Sequence, residues 1–276
     1  MALTVNTNMS ALNGINNLGR NQKSLSTTMS RLSSGMRINK AGDDAAGLAV
    51  AENLDAAERS LKVAQRNAND GISLIATAEG ATGEVSNIVK RMRELAVQSS
   101  SDTLADDERA YIQDEYVQLA GEVDRIANVT EFNGVALGDG SNATLDVQVG
   151  INNTADDRIT ITLGDVTGAT LGIDTATLDL STAAGARTAL TAFDTAIDTL
   201  NGYRSDYGAV QNRLDTASAN LTTYVENVTA SESRIRDADF ASEAADLAKF
   251  QVLQQAGTAI LGQANQINSA ATRLIG

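Results

Sequence analysis

Apolar residues recur near both ends of the chain in alternating steps of three and four positions. In the longest run, from Phe193 to Ile235, only Ser231 places a polar side chain on the apolar stripe. A stripe this narrow is typical of helices that pack side by side along a seam. The spacing therefore predicts long coiled-coil-like helices from both ends of the chain, with further runs at residues 11–36, 50–68, 81–95, 112–126 and 250–274.

The spacing changes in the middle of the chain, between residues 130 and 185. Apolar and polar residues alternate strictly at 145–151 and again at 159–163, and a polar segment separates the two stretches. Strict alternation is the pattern of a β-strand with one buried face. We therefore predict a small β-hairpin near residues 143–165, flanked by loops rich in Gly, Thr and Asp that form the exposed part of the protein.

The order of the elements, helices before and after a short β insert, predicts a mainly α fold. In the simplest geometry the chain runs out, turns through the hairpin and runs back, so that helices from the two ends lie side by side. This arrangement predicts an inner terminal helical domain formed by residues 1–42 with 241–276. A helical rod domain is expected from residues 43–185 with 186–240, and it includes the hairpin.

The composition argues against catalysis and against metal binding. The chain has no His and no Cys, so the commonest general base and the thiolate ligands of metals are missing. The phosphate-binding pattern G-x-x-x-x-G-K-[ST] is also absent. We therefore expect no enzymatic activity, no cofactor and no metal site.

Charge and hydropathy narrow the choice of partners. The net charge of −14 argues against nucleic acid as the main partner. No apolar run approaches the ~20 residues of a membrane-spanning helix, so we expect no membrane insertion. The N-terminal residues lack the basic and apolar segments of a signal peptide, which leaves either the cytoplasm or a dedicated export machine.

Two groups of carboxylates leave alternatives open. Asp43 and Asp44 could serve acid–base chemistry, but they precede a helical run, where capping of the helix N terminus is the favoured interpretation. A second group could bind a cation, although a solvated turn and helix start is favoured there; it comprises Asp102, Asp106, Asp107 and Glu108. The tyrosines Tyr203, Tyr207 and Tyr224 fall on the apolar stripe, which predicts core packing.

The two terminal stripes supply the candidate functional residues. A lone chain can bury such stripes only partly, so we expect the ends to be poorly ordered in solution and to fold on assembly. Copies joined through a face that does not close on itself build a filament. The residues predicted to pack in the filament core are Leu18, Leu25, Met29, Leu32, Met36, Phe250, Leu253, Ile260 and Ile267.

Strings near both ends closely resemble bacterial flagellins. They include SLSTTMSRLSSGMRINKAGDDAAGLAV at 24–50, ANDGISLIATAEGA at 68–81 and SRIRDADFASEAADLAKFQVLQQAGTAILGQANQ at 233–266. The chain is similar to the short kind of flagellin, which lacks large outer domains. The resemblance implies a structural protein that leaves the cell through the flagellar type III export apparatus and polymerises into the extracellular filament used for swimming.

The same resemblance implies a set of partners besides other copies of the chain. They are a flagellar export chaperone and the export gate, the filament cap, and the hook-junction proteins. Some flagellins are also recognised by a Toll-like receptor of animal innate immunity, and the matching positions here are Arg91, Leu95, Ile112 and Glu115. A hook–filament junction protein of the same axial family is the alternative reading of the helical termini.

Overall fold

A computed structural model describes the backbone of residues 7–273 and the side chains of residues 7–266. Helices dominate both ends of the chain, and two small antiparallel sheets lie between them. The predicted fold class is therefore confirmed. The elements are α1 (Met9–Ser34), α2 (Ala45–Ser99), α3 (Asp106–Val129), β1 (Glu131–Phe132), β2 (Val135–Ala136), β3 (Thr144–Gln148), β4 (Arg158–Thr162), α4 (Gly168–Leu171), α5 (Ala183–Arg236) and α6 (Phe240–Arg273).

The contacts divide the described residues into two compact units. The first unit contains the residues up to 57 and those from 227 onward, and the second contains residues 58–226. In the first unit, α1 pairs with α6. In the second, three long helical segments pack together with both sheets and with α4.

Helix α2 continues through Gly71 and Gly80, two glycines that interrupt its apolar spacing in the sequence. Gly71 lies in the interior of this helix and is buried against Val147 and Leu214. A glycine inside a helix costs about 1 kcal/mol relative to alanine, which close packing of this kind can offset. Two apolar runs that look separate in the sequence therefore belong to one helix.

The predicted hairpin is present as strands β3 and β4. They pair antiparallel from Thr144 opposite Thr162 to Gln148 opposite Arg158. Ile159 and Ile161 point into the core of the second unit, as the alternation predicts. A second, smaller hairpin of β1 and β2 was not predicted; its two-residue turn, Asn133–Gly134, has the positive φ angles of 50° and 78° that the Asn-Gly pair favours.

The segment that follows β4 is not the exposed loop that its composition predicts. It packs against α2, α3 and α5, and its buried apolar side chains are Val166, Leu171, Ile173, Leu178 and Leu180. The Tyr116 hydroxyl donates hydrogen bonds to the carbonyl oxygens of Ile173 at 2.8 Å and Asp174 at 3.1 Å. The segment has no regular period, so its burial could not be recognised from spacing.

Two of the three tyrosines on the apolar stripe of α5 pack as predicted. Tyr207 is buried and its hydroxyl accepts a hydrogen bond from the backbone N–H of Gly164, while the ring of Tyr203 lies against the same glycine. For Tyr224 the prediction is wrong, because its side chain is 50% exposed. Position on the stripe fixes the direction of a side chain, but it does not guarantee that another element covers it.

Two of the carboxylates near helix starts act as caps, Asp44 at α2 and Glu108 at α3. Asp44 precedes α2 and accepts a hydrogen bond from the N–H of Gly47, and Asp43 accepts from the backbone of the preceding turn. Glu108 accepts from the N–H of Ala105 at the start of α3. Asp102 pairs with Arg187 at an exposed site. The capping interpretation is therefore right for Asp44 and wrong for Asp43, which holds the turn before the helix.

Candidate assembly surface

A short backbone pairing brings the two ends of the chain together. Gly35 ends α1 in the left-handed conformation, with φ of 71°, and the next residue, Met36, forms an antiparallel bridge with Asp237. The N–H of Ala238 donates to the carbonyl oxygen of Gly35 at 2.9 Å. Asp239 then accepts hydrogen bonds from the first turn of α6. The end of α1 and the start of α6 are therefore held together at one junction.

Polar contacts set the antiparallel register of α1 and α6. Near the junction, Arg31 Nη1 lies 3.0 Å from Glu243 Oε1. Further along, Asn21 Nδ2 donates to the carbonyl oxygen of Phe250 at 2.9 Å. Close to the other end, Asn8 Nδ2 donates to the carbonyl oxygen of Ala264 at 3.0 Å and also caps α1. The contacts span nearly the whole of α1.

Two glycines allow these helices to approach closely. A Cβ atom placed on Gly14 would lie 2.8 Å from Cδ2 of Leu261, and one placed on Gly257 would lie 3.1 Å from Cδ1 of Leu18. Each helix thus carries a glycine against which a leucine of the other helix packs. The spacing places Gly257 on the apolar stripe of the last run, but the sequence alone does not show that either glycine faces a leucine of the other helix.

Despite this pairing, the two helices bury almost no core between them. Ala11 and Thr28 are the buried residues of α1, and no side chain of α6 up to residue 266 is buried. A groove of about 420 Å³ runs between the helices and is lined mainly by apolar atoms. Large apolar side chains that line it remain exposed to solvent, with Leu253 48% exposed and Ile260 64% exposed. The pair therefore presents an unfilled apolar surface.

The residues predicted to pack in a filament core lie on this pair and at its junction. Five of them are half-buried in the single chain: Leu18, Leu25, Leu32, Met36 and Phe250. Three are exposed: Met29 at 56%, Leu253 at 48% and Ile260 at 64%. The side chain of Ile267 lies outside the described residues. Their packing in a filament stays a prediction.

The positions matched to receptor recognition divide into two layers in the second unit. Arg91 on α2 donates to Glu115 Oε1 on α3 at 2.8 and 3.0 Å, and to Glu94 at 3.1 Å. These carboxylates raise the pKa of the Arg91 guanidinium above its ordinary value. Leu95 and Ile112 are buried in the helical core nearby. A partner at this face would contact the exposed side chains of Arg91 and Glu115, whereas Leu95 and Ile112 are buried in the core.

The described part of the chain holds no group of three or more carboxylates arranged to bind a metal ion. A search of the same residues finds no helix long and apolar enough to cross a membrane.

Comparison with known proteins identifies the two ends of the chain. Residues 5–143 match the family model of the bacterial flagellin N-terminal helical region, and residues 190–275 match that of the flagellin C-terminal helical region. A flagellin of Halalkalibacterium halodurans is 42% identical, covering 99% of this chain and 100% of that protein. The flagellar filament 33 kDa core protein of Treponema phagedenis is 39% identical, with coverage of 99% and 100%.

Among solved structures, the crystal structure of Bacillus cereus flagellin is 36% identical, covers 60% of this chain and 94% of that one, and gives a TM-score of 0.49. Both family models together extend over more than half of the sequence, and they match the α1–α6 pair as well as the helices of the second unit. The chain therefore belongs to the bacterial flagellins.

Proposed function

We propose that this flagellin polymerises through the apolar surface of α1 and α6. The protein is a structural subunit of the extracellular flagellar filament and serves swimming motility. The observation that carries the proposal is the near absence of buried side chains in a helix pair that exposes several large apolar residues. Removing such side chains from water is worth about 1.5–3 kcal/mol each, so further copies that cover them would stabilise the pair.

The same surface suggests which parts of the chain form the inner and outer layers of the filament. Residues 1–42 with 241–276 would form the inner domain of the filament, and residues 43–185 with 186–240 would form the rod around it. In this arrangement the nine predicted core residues lie between copies, with Leu253 and Ile260 among the side chains that become buried. No feature of the chain favours the alternative of a hook–filament junction protein.

The remaining proposed partners act in the export of the subunit and in the assembly of the filament. The chain would reach the filament tip through the type III export gate with the help of an export chaperone. Hook-junction proteins would lie at the base of the filament and a cap at its tip. Its role would be structural, without catalysis.

Recognition by an animal Toll-like receptor would involve the ion pair of Arg91 and Glu115. The pair is exposed and joins two helices, so it offers a charged feature of fixed geometry to a partner. We expect Arg91→Ala to weaken signalling by receptor-bearing reporter cells while leaving the helix content unchanged. Undiminished signalling would remove Arg91 from the contact.

Seeded polymerisation of purified protein tests the assembly surface. Ile260→Asp puts a carboxylate on a side chain that is 64% exposed in the single chain, so the monomer should keep its fold. In a filament core the same carboxylate would be buried without a partner, at a cost of several kcal/mol. We therefore expect the critical concentration for polymerisation to rise roughly 100-fold or more.

Ile151→Asp is the matched control, because it makes the same substitution at an exposed site in the loop between β3 and β4. It should polymerise like the unsubstituted protein in electron micrographs and in sedimentation. Filaments of ordinary length and yield from Ile260→Asp would show that α6 does not line the core at this position.

A further inference from the structure

The chain contains three Asn-Gly pairs in very different backbone settings. Asn13–Gly14 lies inside α1 and Asn201–Gly202 lies inside α5, whereas Asn133–Gly134 forms the turn between β1 and β2. Asn-Gly is the dipeptide most open to spontaneous deamidation, because glycine has no Cβ to hinder approach to its backbone nitrogen. The three pairs share this intrinsic chemistry, so the structure decides which of them reacts.

We propose that Asn133 is a site of spontaneous deamidation in this protein, with isoaspartate as the main product. The backbone nitrogen of Gly134, on losing its proton, attacks Cγ of Asn133, and ammonia leaves as a cyclic imide forms. Water then opens the imide at either carbonyl and gives aspartate or isoaspartate. The sum is one amide and one water converted to one carboxylic acid and one ammonia.

The geometry of the turn favours this reaction. Asn133 is exposed, and no hydrogen bond to another described residue holds its side-chain amide. The two flanking strands contribute only two residues each, and so short a ladder opens readily. The backbone rotation needed to close the imide is therefore accessible at Asn133.

The helical pair at Asn201 is protected by contrast. In the interior of a helix the N–H of each residue is engaged in the hydrogen-bond ladder, and the backbone is held at angles that keep Cγ of the asparagine away from the next nitrogen. Asn201 lies well inside α5, between Leu200 and Tyr203, two residues of the packed core. Imide formation there requires that stretch of helix to open first.

Reaction at Asn133 changes the turn in two ways. Either product adds one negative charge, and isoaspartate also inserts one extra backbone atom into a two-residue turn. The neighbours Phe132 and Val135 pack against the buried cluster that contains Ile159, Ile161 and Tyr207. The modification thus begins at the surface and reaches the hydrophobic packing beneath the hairpin.

The test uses the unsubstituted, full-length protein, aged at mildly alkaline pH and body temperature and digested with trypsin. Asn133 falls in the peptide 126–158, and Asn201 is the sole asparagine of the peptide 188–204. Fragmentation locates the acid product, and labelling with an isoaspartyl methyltransferase reports isoaspartate. We expect Asn133 to react roughly tenfold or more faster than Asn201, since opening the helix is the rarer event.

Chain unfolded in denaturant provides the control. There the two sites should react at similar rates, because only the local sequence remains. The proposal is overturned if Asn201 matches Asn133 in the folded protein. It is equally overturned if Asn133 stays intact in the folded protein while it reacts in denaturant.

Discussion

The ion pair between Arg31 and Glu243 offers a direct test of whether α1 and α6 of one chain remain paired in the assembled filament. The two side chains lie 3.0 Å apart, and their exposed fractions are 32% and 13%. Arg31→Glu replaces the attraction with repulsion between two carboxylates. The double variant Arg31→Glu with Glu243→Arg restores an opposite pair in reverse order, with the net charge unchanged.

The size of the effect follows from the partial burial of the pair. Two unit charges 4 Å apart interact by about 4 kcal/mol at the effective dielectric constant of a protein surface. Solvent screening and side-chain entropy remove much of this energy, and hydrogen bonds to charged groups contribute a net ~1.5–3 kcal/mol. Since ~1.4 kcal/mol is a tenfold change in an equilibrium constant, the single variant should raise the critical concentration about 10- to 100-fold.

Sedimentation of seeded samples over a range of protein concentrations measures this change. The double variant should recover most of the lost polymerisation, because the restored pair again joins the two helices. Arg125→Glu is a matched control, since it makes the same charge change on α3, away from the α1–α6 pair, where Arg125 pairs with Glu122 of its own helix. If the double variant polymerises no better than Arg31→Glu alone, then the two residues do not face each other in the filament.

Two further predictions concern the buried tyrosines of the second unit. Tyr116→Phe leaves the carbonyl oxygen of Ile173 without its hydroxyl donor, while that of Asp174 still accepts from the N–H groups of Thr177 and Leu178. The change should lower the free energy of unfolding by about 1–3 kcal/mol in urea titrations, whereas Tyr111→Phe, at a side chain 75% exposed, should change it little. Burial raises the pKa of Tyr116 and of Tyr207, so the unfolded chain loses these protons first. These two groups should therefore leave the free energy of unfolding unchanged below about pH 10 and lower it above that pH. In Tyr116→Phe the free energy of unfolding should fall less steeply with rising pH. An equally steep fall in this variant would contradict the account.

The sequence predicts the long helices well, because the spacing of their apolar residues is enough to recognise them. The stripe through Phe193, Leu200, Tyr207 and Leu214 is fully buried in α5, and it is readable without any knowledge of its partners. Tyr224 continues the same stripe yet stays exposed, since spacing gives the direction of a side chain and not the presence of a neighbour. Periodicity therefore predicts helices better than it predicts cores.

The candidate surface was only partly accessible to sequence reasoning. The apolar residues of α1 and α6 were recognised from their spacing, but the close contacts at Gly14 and Gly257 were not, because they depend on which leucine of the other helix lies opposite. The irregular segment that buries Ile173 and Leu180 has no period to detect. In both cases the missing information is a long-range contact.

The lack of buried side chains in the described part of α6 affects how harmful substitutions in this helix can be detected. No described side chain of this helix is buried, so a substitution there removes little from the stability of an isolated molecule. Screens that rank variants by melting temperature or by solubility would score many harmful changes as neutral. Association with other copies supplies the missing stabilisation, so this stabilisation depends on protein concentration. A harmful substitution in α6 would therefore be detected as a higher threshold concentration, below which no polymer grows.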